Sequence, residues 1–203
     1  MLLKLHPDNP SERNLRTVSA ILETDGVIIF PTDTVYALAC SIHSKKGFDR
    51  LCRIKRIKPK KAVFSMIASN MQQASPYLSQ LSTPQFRTLN GHLPGPFTFI
   101  VHSSRELPSH MRNGRKTIGL RIPDHTVTLS IVNTFNTPLI TTSLRLDDEF
   151  VEYMVDTEEI EAEFGKQVDA VIDGGSGDFV PSTVVSLVDG GVEVVRQGKG
   201  VLN

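Results

Sequence analysis

The segment KRIKPKK sets Lys55, Arg56, Lys58, Lys60 and Lys61 within seven residues and places no carboxylate among them. Cations held that close repel one another unless an anion or bulk water answers their charge. The segment therefore points to a site for phosphate or carboxylate, with a solvated surface as the plainer explanation for some of the five. PTDT puts Thr32, Asp33 and Thr34 in the turn after the β-branched run VIIF, where hydroxyls and free backbone N–H groups can face a ligand. Turn chemistry alone would also favour these residue types. TIGLRIP places Thr117, Gly119 and Arg121 on one side of a strand and turns Ile118, Leu120 and Ile122 toward the core, because side chains alternate with period two. An arginine beside a glycine suits bidentate clamping of an anion, and a structural salt bridge nearly as well. TTSLRL at 141–146, VIDGG at 171–175, PSTVV at 181–185 and VVRQG at 194–198 each combine a strand with hydroxyls, glycines or an arginine.

The familiar signatures GxxxxGKS/T, GxGxxG after a strand, HExxH and GxSxG are all missing from the sequence. If a nucleotide binds, side chains must do most of the holding. The six histidines are scattered and the acidic residues form no matched pair, so acid–base hydrolysis has little support. Cys40 and Cys52 belong to no CxxC pair and no metal-ligand spacing; they read as buried thiols, and no metal site is expected.

The 22 Lys/Arg and 22 Asp/Glu cancel over the 203 residues, but they are segregated. Residues 1–125 carry 18 basic and 8 acidic side chains, and residues 126–203 carry 4 and 14. Between Lys45 and Lys61 nine cations stand against Asp49 alone. This asymmetry predicts a basic cleft for a phosphate-bearing ligand, either a nucleotide or RNA. Apolar runs such as Val27–Phe30 and Phe97–Val101 are far too short to cross a bilayer, which excludes a membrane protein. MLLKLHPDNP meets Pro7 and Asp8 before any long apolar stretch, unlike a signal peptide, so a cytoplasmic location is expected.

The elements that must position these residues follow from pattern. Ser11 can cap a helix to about Thr24 that Gly26 stops, and Ser44 a helix to about Ile57 that Pro59 ends. Further helices are expected at 83–90, near 126–135 opening from His125 or Thr126, and at 156–164 capped by Asp156. Strands are expected at VIIF, VFSMIA, 97–101, 117–121, 139–142, 168–172, 183–187 and 192–195. Several are separated only by turns, which argues for one α/β domain with a twisted mixed sheet, flanking helices and a basic concave face rather than a strict βαβ winding.

The order of the motifs resembles the YrdC-type family of threonylcarbamoyl-adenylate synthases. PTDTVYALAC looks like the family's P-T-D/E-T-V-Y-G-L, and LPGPFT, TIGLRIP, the TTS strand, VIDGG, PSTVV and VVRQG follow in family order. The likeness covers about residues 11–200 of a single YrdC-like domain spanning 1–203, and KTIGLRIP, TTSL and QVDAVIDGG bring it closest to the YciO-type branch. The resemblance implies that L-threonine, bicarbonate and ATP, with Mg²⁺ on the phosphates, give threonylcarbamoyl-AMP and pyrophosphate for tRNA t6A modification. By position it implies nucleotide binding by Lys55, Arg56, Lys58, Thr117, Ser143 and Arg196. Arg56 and Lys58 would supply electrostatic stabilisation, and Thr32, Arg121 and Ser182 would bind threonine. Arg121→Ala is expected to abolish nucleotide binding without unfolding the chain.

Four departures from the family pattern point to altered specificity or low turnover. The family's K-x-R reads Arg56-Ile57-Lys58, its S-A-N reads Ser143-Leu144-Arg145, a frequent His falls at Met66, and the Gly of V-Y-G-L is Ala37. The alternative is a binder of double-stranded RNA or tRNA that keeps the fold without synthase activity. A third is carbamoyl or adenylate transfer to another amine.

Overall fold

The computed structural model describes residues 1–112, 114–144, 155–175 and 177–202. Among these residues ten strands form one sheet: β1 (Leu2–Lys4), β2 (Ile28–Phe30), β3 (Ala37–Ser41), β4 (Ser65–Ile67), β5 (Phe97–His102), β6 (Thr117–Arg121), β7 (Leu139–Ser143), β8 (Ala170–Asp173), β9 (Thr183–Ser186) and β10 (Glu193–Arg196). Their order is β1-β8-β2-β3-β7-β4-β6-β5-β9-β10. The pairs β1/β8, β8/β2, β4/β6 and β5/β9 are parallel and the others antiparallel. This is the mixed sheet with flanking helices that the short strand spacings indicate. β1 lies outside the expected start at residue 11; it adds to β8 in parallel and brings Leu5 into the core.

Among the described residues seven α-helices accompany the sheet: α1 (Glu12–Glu23), α2 (Lys45–Ile54), α3 (Met71–Ala74), α4 (Thr83–His92), α5 (Ser109–Arg112), α6 (Thr126–Phe135) and α7 (Thr157–Phe164). Three expected caps form: the Ser44 hydroxyl accepts from Gly47 N, His125 from Thr128 N, and the Asp156 carboxylate from Glu158 N and Glu159 N. Ser11 is placed as an N-cap, but its side chain makes no capping bond. Helix α2 stops at Ile54, before Pro59, because the chain turns left-handed at Arg56 with φ +53°. Ile57 N bonds to Cys52 O and Arg56 N to Arg53 O, the paired closure of a Schellman motif. Pro59 instead opens a single 3₁₀ turn, Pro59–Lys61.

The two faces of the sheet bury two cores. On one, Leu38, Cys40, Met66, Leu120 and Ile140 pack against Phe48 and Leu51 of α2 and Ile160 and Phe164 of α7. On the other, Ile28, Phe30, Ala37, Ile67 and Leu139 pack under α1 and α6. Helices α1 and α6 cover the β8, β2 and β3 side of that second face and reach Ile67 of β4 and Leu139 of β7. Beyond them the same-face residues turn polar: Ser65, Thr98, Thr117, Gly119, Arg121, Thr141 and Ser143. Register places them side by side, with Ser65 beside Gly119 and Thr141, and Gly119 beside Ile100. The uncovered half of one sheet face is where the site lies.

Candidate functional site

A cavity of about 470 Å³ opens over that half. Its floor is β6, β5, β7 and β9, and its walls are the turn after β2, the Ala62–Ser65 segment and β10. Arg115, Arg121 and Arg196 line it, and among the described residues none of the lining is acidic.

Arg121 stands at the end of β6 with its guanidinium buried. Nη2 donates to Asp33 Oδ1 at 2.9 Å and to Thr34 Oγ1 at 2.9 Å, while Nε is buried without a partner. The ion-paired side chains are only 9% and 8% exposed. Burial pulls the guanidinium below its ordinary range, and Asp33 pushes it back toward the charged form. The other Asp33 oxygen, Oδ2, accepts from Asp124 N, and the Asp33 carbonyl accepts from Lys199 Nζ at 2.8 Å. The salt-bridge reading of Arg121 holds: one edge of the fork is held by Asp33, while Nε is left without a partner. Truncating Arg121 would strand a buried carboxylate, so Arg121→Ala is expected to cost stability.

Of the residues singled out in the sequence, Thr117, Arg121, Ser143, Ser182 and Arg196 are brought together in the cavity lining. The Ser182 hydroxyl bonds Thr98 Oγ1 at 2.8 Å, and Arg196 Nη2 donates to Ser182 O at 2.7 Å. Thr32 lies outside the lining. Its hydroxyl donates to Val35 O and meets Thr34 N and Thr34 Oγ1, so it shapes the turn while Thr34 faces the cavity. Lys55 reaches the rim, with Nζ donating to Ser143 O at 3.1 Å. Arg56 and Lys58 are exposed on the approach to the Ala62–Ser65 wall and do not line the cavity. Arg145 lies outside the described residues. Met66 points into the opposite core, and Ser65 is its site-facing neighbour.

The cation cluster is also less bare than its sequence suggests. Lys45 pairs with Asp49, Lys46 with Asp25, and Arg50 with Asp169 at 2.6 Å. Asp25 and Asp169 are far from α2 in sequence, so composition within the cluster could not reveal them.

Residues not anticipated in the site are Ser65, Thr98 and Arg115, while Thr141 enters it from the TTSLRL segment. Period-two counting from Thr117 through paired strands would have found the first two once the register was known. Gly119 keeps the floor open, since a Cβ there would stand 2.7 Å from Ser65 Oγ and 3.0 Å from Thr98 Cγ2. Among the described residues no group of three or more His, Cys, Asp or Glu could hold a metal ion.

Comparison with known proteins places this geometry. The chain is 37% identical over 198 residues to "Uncharacterized protein YciO" of Escherichia coli (strain K12), covering 97% of this chain and 94% of the relative. The crystal structure of E. coli YciO superposes with a TM-score of 0.91 at 34% identity, over 99% of this chain and 97% of that one. "Threonylcarbamoyl-AMP synthase" of Enterobacter sp. (strain 638) is 29% identical over 180 residues, 88% of this chain and 92% of its own. P. abyssi Sua5 complexed with L-threonine shares the fold, with a TM-score of 0.89 at 19% identity, over 98% of this chain and 57% of that longer one. Residues 20–198 match the Sua5/YciO/YrdC family, described as "Telomere recombination". The half-open sheet and its arginine-lined cavity thus belong to a member of the Sua5/YciO/YrdC family.

Proposed function

We propose that the chain is an ATP-dependent nucleotidyltransferase that joins L-threonine and bicarbonate to ATP, giving threonylcarbamoyl-AMP and pyrophosphate for tRNA t6A modification. The observation that carries this reading is the cavity: Arg115, Arg121 and Arg196 line it among hydroxyls, and none of its described lining residues is acidic. The cavity falls within the usual range of small-ligand pockets, roughly 300–1,000 Å³. A relative named threonylcarbamoyl-AMP synthase and a Sua5 structure containing L-threonine support the choice of substrates.

The threonine amine adds to CO₂ derived from bicarbonate, forming a carbamate. A carbamate oxygen then attacks the α-phosphorus of ATP as the bond to the β-phosphate oxygen breaks, and pyrophosphate leaves. Charge builds on phosphate oxygens throughout, so positioning and fixed cations do the catalytic work without a protein nucleophile. In this reading Arg121 and Thr34 hold the threonine carboxylate, Ser182 and Thr98 position its polar groups, and Arg196, Arg115, Lys55 and Ser143 face the nucleotide. Arg56 and Lys58 act from the exposed approach. Magnesium enters as part of the substrate, carried on the phosphates. The test is incubation with labelled L-threonine, bicarbonate, ATP and Mg²⁺, reading pyrophosphate and threonylcarbamoyl-AMP together; pyrophosphate with no label in the adenylate would redirect the reading to another amine acceptor.

One observation favours a second reading, RNA binding. An open groove beside the cavity, sharing Arg115 with it, is lined by His102, Arg105, Arg112 and Lys116 with four serines, and none of its described lining residues is acidic. Phosphate contacts there predict an affinity for duplex RNA falling with a log–log salt slope of about −0.9 per phosphate neutralised. A flat salt dependence excludes it.

A further inference from the structure

We infer that β10 is a self-association strand that joins two copies of the chain edge to edge and sets Glu193 of each copy beside Arg196 of the other, at the rim of the cavity. Among the described residues β10 ends the sheet order and pairs with β9 alone, which leaves its outer row of backbone groups open there. Val192, Val194 and Val195 are 56%, 45% and 55% exposed, and Phe179 and Val180 stand exposed next to Pro181, whose carbonyl binds Lys199 N. An apolar, open edge is what proteins ordinarily guard with like charges, proline or cover.

The sequence of the strand identifies its occupant. Read antiparallel against itself, Glu-Val-Val-Arg sets each glutamate opposite an arginine and each valine opposite a valine. In a regular strand Glu193 and Arg196 would point to opposite faces, and a two-fold axis normal to the sheet could not pair them, because it keeps each face on its own side. The irregularity between Val194 and Arg196 removes that obstacle. Glu193 is opposite Ser186 and Arg196 opposite Val184; positions 184 and 186 share a face of β9, so Glu193 and Arg196 share a face of β10. It is the cavity face, because Val184 and Arg196 both line the cavity. A second copy therefore satisfies the open edge, covers the valines and answers both charges at once. It also supplies a carboxylate next to an arginine of the site. This inference stands whether or not the synthase reading does.

Sedimentation velocity across about 1–100 μM, a span suited to weak association, should show a monomer–dimer equilibrium. Glu193→Arg sets arginine against arginine twice and should weaken the dimer at least about tenfold, or 1.4 kcal/mol. Glu193→Arg with Arg196→Glu should restore it, with circular dichroism melts confirming that each variant folds. Val195→Cys, near the two-fold axis, should form an inter-chain disulfide under mild oxidant, since the native Cys40 and Cys52 are buried. A monomer throughout the range, a dimer indifferent to Glu193→Arg, or a double reversal as dissociated as the single variant overturns the proposal.

Discussion

Arg121 and Asp33, 88 positions apart in the chain, meet at 2.9 Å in a nearly buried ion pair that joins β6 to the turn after β2. Removing one partner of such a pair leaves an uncompensated charge, at a cost of about 3–5 kcal/mol. Asp33→Ala should therefore lower stability by roughly that amount. Arg121→Ala should do likewise, and the double variant should lose less than the sum of the two. Urea denaturation of the three variants checks this.

Gly119→Ala separates ligand binding from folding. The added methyl group meets the Ser65 hydroxyl, which can rotate away, and the Thr98 methyl. Overpacking of this kind costs about 1 kcal/mol or slightly more. The methyl also occupies the floor on which a ligand must rest. ATP or threonine affinity, by calorimetry, should fall at least about tenfold, 1.4 kcal/mol.

Arg56 holds the left-handed position that closes α2, where glycine is the usual occupant. An L-residue there costs roughly 1–2 kcal/mol, so Arg56→Gly should raise the unfolding free energy by up to about 1 kcal/mol after glycine's greater unfolded-state entropy is counted. If Arg56 steers phosphate toward the cavity, the same variant should raise KM for ATP. A rise in stability with KM unchanged would assign Arg56 to the surface.

His125 makes stability depend on pH in a definite direction. Burial lowers its folded-state pKa, against the opposing pull of Asp33 and Asp124, and Nδ1 caps α6 only while unprotonated. The unfolded chain therefore takes up the proton first. Stability is full above the ordinary histidine value of about 6.5 and is lost as pH falls from there through the lowered folded value. His110, also lowered by burial, adds to the slope. His125→Asn, which keeps a capping oxygen, should flatten it in denaturation curves taken on both sides of that value.

Local pattern revealed what local physics controls. The alternation in TIGLRIP predicted both faces of β6, and Ser44, His125 and Asp156 begin their helices as capping chemistry requires. What pattern could not reveal depends on register between distant segments. Thr32 and Thr34 are equivalent by composition; only the folded turn shows that one hydroxyl is spent on Val35 O and the other faces the cavity. Lys46 and Arg50 read as free cations until Asp25 and Asp169 are brought beside them. β1 is three residues long, too short for any periodicity to register.

The strand order carries a consequence for how the site comes into being. β4 finds its neighbours β6 and β7 far downstream, and β5 pairs in parallel with β9, more than eighty residues later. Such connections raise contact order, and high contact order slows folding because chain entropy is lost before contacts repay it. No contiguous stretch shorter than about the span from Thr34 to Arg196 contains the cavity lining. During synthesis the cavity lining is therefore incomplete until β10 has emerged and brought Arg196 to it.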